Sequence, residues 1–411
     1  MFSNLDRDLK HDPGSVFGSA MLVAGTTVGA GERAWRALPA VTQDAGFVPS
    51  AATLTLVCLF SAATGLLVAE VNLGVMRRQG AGGLSVITMA RATLGEQGAL
   101  ASSAAYVFLH YALLVAYMSK AGEILAGAAG VGLVPGAAAF AAAFALLCYG
   151  SSQKLLDRLN SVLVGLVVAS FLGLLVVAAA GVDVGSITSG GDWGAVPGTL
   201  PVVALAFVYH NIIPVVCTAL EGDAAKIRAA VLAGLAIPWA MFVAWDGAVL
   251  GSLDSLRAAT SPPAGAADPL AALSAANPAA APLIQGFSFL AIATSYIGFI
   301  LGLTDFLADA LALPTGRQAP LPYLLALLPT FVVAVTNPNI FLQALDTAGT
   351  YGVLTLFGIQ PAAMAWNARY SSSSMPQSQQ LVPGGKAALL SIGGAAAGVI
   401  LNEMLQLSTK N

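Results

Sequence analysis

The sequence predicts an all-α integral membrane protein with about eleven membrane-spanning helices. The 411-residue chain is 57% hydrophobic and only 9% charged, whereas a soluble domain carries about 25% charged residues. Its apolar segments recur at a length of about 20 residues, which a helix needs to cross a bilayer. The lipid bilayer is therefore the expected environment, and nothing in the net charge of −3 indicates a nucleic-acid partner.

The eleven candidate spans form one transmembrane domain over residues 1–411. The fourth span is short and the first is interrupted by small residues. Spans one and six each begin a group of five, so we expect a first repeat at about 15–181, a second at about 197–358 and an extra C-terminal helix at about 385–405. The spans lie roughly at 15–40, 50–74, 98–125, 134–150, 158–181, 197–220, 227–250, 282–307, 320–336, 339–358 and 385–405.

Lysine and arginine predict the orientation, because positive charges are enriched in cytoplasmic loops. With eleven spans most of them fall on one side, and the other side receives only Arg257, Lys410 and, at the end of span three, Lys120. The N-terminus is thus expected on the cytoplasmic-equivalent side and the C-terminus opposite.

A glycine-rich stretch interrupts span one. Three glycines and two threonines within seven positions make a poor helix, and irregular backbone survives in lipid only where it is buried or lines a cavity. We therefore expect span one to break near mid-membrane and to offer free backbone groups to a ligand. The candidate binding residues here are Gly25, Thr26, Thr27, Gly29, Ala30 and Gly31.

Span six contains a second interruption, where His and Asn meet Pro214 at mid-depth. Proline removes a backbone hydrogen bond and clashes with the preceding turn. Breaks at corresponding positions of two halves are typical of transporter sites built from inverted repeats; the alternative is an ordinary proline kink. The candidate residues are Phe207, Tyr209 and Asn211 for substrate, and His210 for ion coupling.

Two broken spans offer a specific chemistry. Half-helix N-termini suit a carboxylate, and the free carbonyls of half-helix C-termini suit an ammonium group or a cation. Such a site fits a zwitterion, such as a free amino acid, without a charged side chain.

The sequences Gly18–Gly31 and Ala37–Ser50 resemble the first span of the aromatic amino acid permeases, and Ala37–Ser50 is most similar to the plant and algal branch. Phe207–Pro214, Tyr111–Ser119 and Gly302–Asp309 support the resemblance, which runs over nearly the whole chain. It implies the five-plus-five inverted-repeat fold of the amino acid–polyamine–organocation superfamily. It also implies proton-coupled uptake of tyrosine, tryptophan or phenylalanine by alternating access.

The other spans add further candidates for the site. Tyr111 and Ser295 are expected to contact substrate, Tyr117 and Thr294 to act in ion coupling, and Asp305 to belong to a gate. Tyrosines packed at the membrane interface are the alternative for span three. Hydroxyls on span eight would equally suit sodium, so the coupling ion is a proton or sodium. No cofactor is expected, and the scattered cysteines and histidines do not indicate a metal site.

The segment Glu32–Arg36 departs from the family pattern, which passes from GAG to ALP through about two residues. Charges in the outer half of a span are costly, although Glu32 and Arg36 could pair across one helical turn. The segment is either a gate in a water-filled vestibule or a gene-model artefact.

Other function classes are less well supported. A non-transporting amino acid sensor would normally carry a soluble tail, an enzyme would need a catalytic cluster, and a channel would need a selectivity filter. A sodium-coupled or broader neutral amino acid transporter is a closer alternative. The alanine content and the plant-like first span indicate a plastid envelope, with a bacterial inner membrane as the alternative.

Overall fold

The fold is built from helices packed side by side. The computed structural model describes residues 14–30, 32–79, 84–151, 153–179, 181–188, 190–259, 273–274, 277–311, 320–337, 351–371 and 380–410. The α-helices are α1 (Val16–Ala30), α2 (Glu32–Thr42), α3 (Phe47–Gln79), α4 (Val86–Ala129), α5 (Leu133–Gly150), α6 (Gln153–Ala179), α7 (Val184–Thr188), α8 (Val196–Ala206), α9 (Ile213–Ala219), α10 (Ala224–Ala259), α11 (Ala280–Ala310), α12 (Pro320–Thr336), α13 (Gln360–Tyr370) and α14 (Gly385–Lys410).

The predicted class, an all-α integral membrane protein, is confirmed. Within the described residues, eight helices are long and apolar enough to cross a membrane, and two shorter apolar helices cover Val16–Gly29 and Pro320–Thr336. The count of eleven and the inverted repeat remain predictions, since residues 339–350 of the tenth predicted span lie outside the described residues.

The first span is described as α1, which ends at Ala30, and α2, which begins at Glu32. Gly31 lies outside the described residues, so the expected break of span one stays a prediction. The helix continues through Gly25 and Gly29, and these two glycines serve close packing. A Cβ atom at Gly25 would lie 2.6 Å from the Val164 side chain, and one at Gly29 would overlap Ser295 Oγ. Small residues at such positions let membrane helices approach closely.

The sixth span is broken, as predicted. Helix α8 ends at Ala206, a 3₁₀ turn spans His210–Ile212, and α9 follows. Tyr209 has φ −153° and ψ 0°, which is not helical. Pro214 lies at the second position of α9, where its missing N–H would have had no intrahelical partner. Proline therefore marks the start of the second half-helix.

Two other boundaries differ from the prediction. Helix α4 begins at Val86 instead of near 98, and it crosses a kink at Gly95 with φ 73° and ψ −171°. The helical segment that had been expected to end at 358 runs from 351 through a π-helical turn at Thr355–Ile359 into α13. The polar residues of α13, which lower its hydropathy, concealed it from the sequence prediction.

Contacts between α11 and the first span show that they run antiparallel. Phe287, early in α11, packs on Trp35 of α2 with ring centroids 4.5 Å apart. About two turns further along, Ser295 meets Gly29 of α1. The bundle thus has a Trp35 end, defined by the Trp35–Phe287 contact, and an opposite end where α1 begins.

Candidate functional site

The junction of α1, α4 and α11 places small and hydroxyl residues together. The Tyr117 hydroxyl on α4 donates to the Gly29 carbonyl oxygen at 3.3 Å. Ser295 is 1% exposed, and its hydroxyl has no hydrogen-bond partner among the described residues. The junction therefore keeps a buried polar atom available for a ligand.

A cavity lies beside the break in span six. Asn211 lines it, and its buried Oδ1 has no hydrogen-bond partner among the described residues. The cavity has a volume of about 50 Å³, whereas small-molecule sites span about 300–1,000 Å³, so it marks a position beside the break and must enlarge to hold a ligand of that size. The lining includes Leu22, Tyr106, Asn211, Gly298, Gly302 and Asp305. Since Leu22 belongs to the first half of α1, the cavity lies toward the end opposite Trp35.

The 3₁₀ turn of span six contacts both α1 and α11. The break in span six thus lies against the first span and against the helix that carries Ser295. Asn211 Oδ1 and Ser295 Oγ can accept hydrogen bonds from an ammonium group, and buried acceptors without partners are costly unless a ligand or water satisfies them. The chemistry of this region fits an amino compound.

The side chains of Tyr209 and His210 in the span-six break contact α3. Tyr209 donates to the Ser61 carbonyl oxygen at 3.0 Å, and His210 Nε2 lies 2.7 Å from Thr64 Oγ1. Ser61 in turn donates its hydroxyl to the freed Phe207 carbonyl at 2.7 Å. Phe207, Tyr209 and His210 are thus packed into the helix interface, while Asn211 lines the cavity.

The remaining hydroxyl candidates are dispersed. Tyr111 donates to the Leu325 carbonyl at 2.7 Å and so bridges α4 to α12. Thr27 and Thr294 donate to backbone carbonyls of their own helices, as hydroxyls in helices often do. Thr26 is 5% exposed. The structure brings together Gly29, Tyr117 and Ser295. It shows no contact that joins the side chains of Tyr111, Thr26, Thr27 and Thr294 to them.

The predicted gate is described only in part. Asp305 lines the cavity, as a gate residue at its mouth would. Gly31 and the side chains of Ala30, Glu32 and Arg36 lie outside the described residues.

Trp35, within the segment that departs from the family pattern, is 2% exposed. Its ring packs edge-on against Trp245 at 4.9 Å and Phe287 at 4.5 Å between centroids, and its carbonyl accepts from Trp245 Nε1 at 3.0 Å. Trp35 is thus an integrated part of the core.

Sequence reasoning missed two features near the site. Tyr106 lines the cavity and stacks on His110, with ring centroids 3.7 Å apart, while His110 Nδ1 lies 2.8 Å from the Tyr106 carbonyl oxygen. The two residues are four positions apart, so they share one helix face, and this spacing was the available signal.

The second missed feature is a buried ion pair between Glu70 of α3 and Arg369 of α13. Two guanidinium nitrogens contact the two carboxylate oxygens at 2.6 and 2.7 Å, and the side chains are 0% and 3% exposed. Glu70 also accepts from the Leu381 backbone N–H at 2.9 Å. The pair fixes the segment before α14 to the bundle.

Comparisons with known proteins agree with this architecture. The Tryptophan-specific transport protein of Pseudomonas aeruginosa is 28% identical over 85% of this chain and 86% of its own length. The Tyrosine-specific transport system 2 of Haemophilus influenzae is 29% identical over 91% of this chain and 92% of its own length. The Tryptophan-specific transport protein of the same organism is 27% identical over 96% of both chains. A model of the Tryptophan/tyrosine permease family matches residues 13–402. This multi-pass membrane protein therefore belongs to the tryptophan/tyrosine permease family.

Proposed function

We propose that this protein is a secondary active transporter that carries aromatic amino acids across a membrane by proton symport with alternating access. Tyrosine is the first candidate substrate, followed by tryptophan and phenylalanine. Membership of the tryptophan/tyrosine permease family supports amino acid transport, and the relatives compared above are named for tryptophan or tyrosine.

One observation carries the assignment of the site. The break in span six lies against α1 and α11, and the buried oxygens Asn211 Oδ1 and Ser295 Oγ there have no partner among the described residues. Discontinuous helices at such a position bind zwitterions in transporters of this architecture. The substrate's ammonium group would be held by these acceptors, and its carboxylate by the free N–H groups where α2 and the span-six turn begin.

The cavity lies toward the end opposite Trp35, and the Trp35 ring is packed against Trp245 and Phe287 at the other end. We assign the cavity end to the cytoplasmic-equivalent side, because most lysines and arginines flank that side when the spans are counted. The arrangement is then an inward-facing state, and the C-terminus lies outside. A plastid envelope or a bacterial inner membrane would both suit this orientation.

The test uses purified protein in liposomes. Labelled tyrosine, tryptophan and leucine are offered under an imposed pH gradient and, separately, under a sodium gradient. The proposal expects concentrative uptake of tyrosine under the pH gradient, inhibited by excess tryptophan and only weakly by leucine. Uptake of leucine at a rate similar to that of tyrosine would favour the broader neutral amino acid transporter. Uptake driven by sodium alone would exclude proton symport, and no uptake under either gradient would overturn the transport function itself.

A further inference from the structure

A buried carboxyl group lies at the Trp35 end of the bundle, away from the cavity. Asp246 of α10 is 0% exposed, and its Oδ1 lies 2.7 Å from the hydroxyl oxygen of Thr42, the last residue of α2. Its Oδ2 is buried without a hydrogen-bond partner among the described residues. Ionisable groups inside membrane helices are rare and are functional candidates.

The Thr42 hydroxyl lies near more hydrogen-bond acceptors than its single proton can serve. The same hydroxyl also lies 2.7 Å from the Leu38 carbonyl oxygen, so one O–H proton faces two acceptors. A hydroxyl donates only one hydrogen bond but can accept two. A protonated Asp246 resolves the conflict, because its O–H donates to Thr42 Oγ1 while Thr42 donates to Leu38. The geometry is thus that of a neutral carboxylic acid.

Among the described side chains, no charged group near Asp246 offers an alternative partner. Helix α10 packs on α1, α2, α3, α6 and α7, and the Phe47 ring at the start of α3 approaches Gly247, the next residue along α10. Glu70, Arg77 and Arg78 therefore lie about 34 Å or more further along α3, and Asp44, Arg158 and Asp183 are exposed. Cys58 on α3 is half-buried, and Lys226 and Arg228 occupy the opposite end of α10. The side chains of Glu32, Arg33, Arg36, Lys154, Asp157, Asp254 and Arg257 lie outside the described residues.

We propose that Asp246 is the proton-binding group of this transporter, and that its protonation holds α2 against α10 to close the Trp35 end. This inference rests on the proposed proton symport. An ionised Asp246 would be buried beside a hydroxyl already engaged by Leu38, which is costly. Loss of the proton therefore favours separation of α2 from α10 and entry of water. Proton binding and closure of the Trp35 end become one coupled event.

The test replaces Asp246 by asparagine, whose NH₂ group can donate to Thr42 as the neutral acid does. Because the amide keeps the contact that closes the Trp35 end, Asp246→Asn is expected to bind tyrosine in detergent within about twofold of the wild-type Kd, while tyrosine counterflow in liposomes falls at least about tenfold. Concentrative uptake under a pH gradient and tyrosine-dependent proton entry, read with an internal pH dye, should both be lost. The matched control is Asp44→Asn, an exposed acid two residues beyond Thr42, which should behave as the wild type.

The outcomes distinguish the role of Asp246 from the proposed transport function. Concentrative, proton-accompanied uptake by Asp246→Asn would overturn the role of Asp246 and leave transport intact. Wild-type uptake driven by sodium without proton entry would do the same. Absence of wild-type transport and counterflow would instead overturn the proposed function, and the role of Asp246 with it.

Thr42 supplies a further test should Asp246→Asn fail to fold. Thr42→Val removes the acceptor of the acid proton and should move the half-maximal pH of uptake to lower values, whereas Thr42→Ser keeps the hydroxyl and should not. An unchanged or higher half-maximal pH in Thr42→Val would contradict the hydrogen-bond direction on which the proposal rests.

Discussion

A methyl group at Gly29 tests the contact between α1 and α11 most sharply. A Cβ atom there would overlap Ser295 Oγ and lie 2.5 Å from the Ala291 carbonyl oxygen. Ser295 could rotate away, but the Ala291 carbonyl belongs to the α11 backbone and can move only with the helix. Gly29→Ala should therefore force α1 and α11 apart at the centre of the proposed site.

The magnitude follows from two opposing terms. Overpacking of a filled interior costs about 1–3 kcal/mol, and a rigid backbone neighbour places this case in the upper part of that range. Alanine returns up to about 1 kcal/mol through its higher helix propensity. The net loss of stability is about 1–2 kcal/mol, and tyrosine uptake should fall with it, because a displaced α11 moves Ser295.

The assay is thermal unfolding of the purified protein in detergent, combined with tyrosine uptake in liposomes. Gly286→Ala, on α11 with no atom within 4 Å of the added Cβ, is the matched control and should unfold at or above the wild-type temperature. Gly29→Ala/Ser295→Gly should recover only part of the stability, since the Ala291 contact remains. If Gly29→Ala unfolds at the same temperature as Gly286→Ala, the close approach of α1 and α11 is refuted.

Three further substitutions test other contacts by the same unfolding assay. Glu70→Gln should lower stability by about 3–5 kcal/mol, because it leaves the buried Arg369 charge without its partner. Trp35→Ala should cost about 3–5 kcal/mol through the cavity left in the core, and a neutral result would mean that Trp35 is not an integrated part of the core. Ser61→Ala should cost about 1–3 kcal/mol, because the freed Phe207 carbonyl loses its donor.

Two of these variants have exposed counterparts. Glu96→Gln breaks the ion pair with Arg91, in which the Arg91 side chain is 57% exposed and the Glu96 side chain 78% exposed. The substitution should cost less than about 1 kcal/mol of stability. Trp193→Ala removes an indole that is 61% exposed and should be nearly neutral. A control that costs as much as its buried partner would contradict the burial-based explanation.

The break in span six could be predicted because local chemistry determines it. Pro214 and the polar pair before it oppose a continuous helix wherever they fall in a chain. The fate of Gly25 and Gly29 could not be predicted in the same way. Glycine lowers helix propensity, but it also permits close helix packing, and only the positions of α6 and α11 decide which property prevails.

The pairings that organise the rest of the structure are long-range. Glu70 and Arg369 are 299 positions apart, and Thr42 and Asp246 are 204 positions apart, so no local pattern joins them. For the same reason the sequence grouped Tyr111 and Tyr209 with the substrate site. Their hydroxyls are directed by helices that are remote in sequence, α12 for Tyr111 and α3 for Tyr209.

Tyrosine uptake by Asn211→Leu tests the central claim most directly. Leucine keeps the branched shape of the side chain but removes the unpartnered acceptor Oδ1 of a residue that lines the cavity beside the span-six break. With wild-type protein and protein-free liposomes measured in parallel, the wild type should accumulate labelled tyrosine. Folded Asn211→Leu should lose at least about tenfold in initial rate, which corresponds to about 1.4 kcal/mol. Wild-type uptake rates in Asn211→Leu would contradict a substrate site at the paired helix breaks.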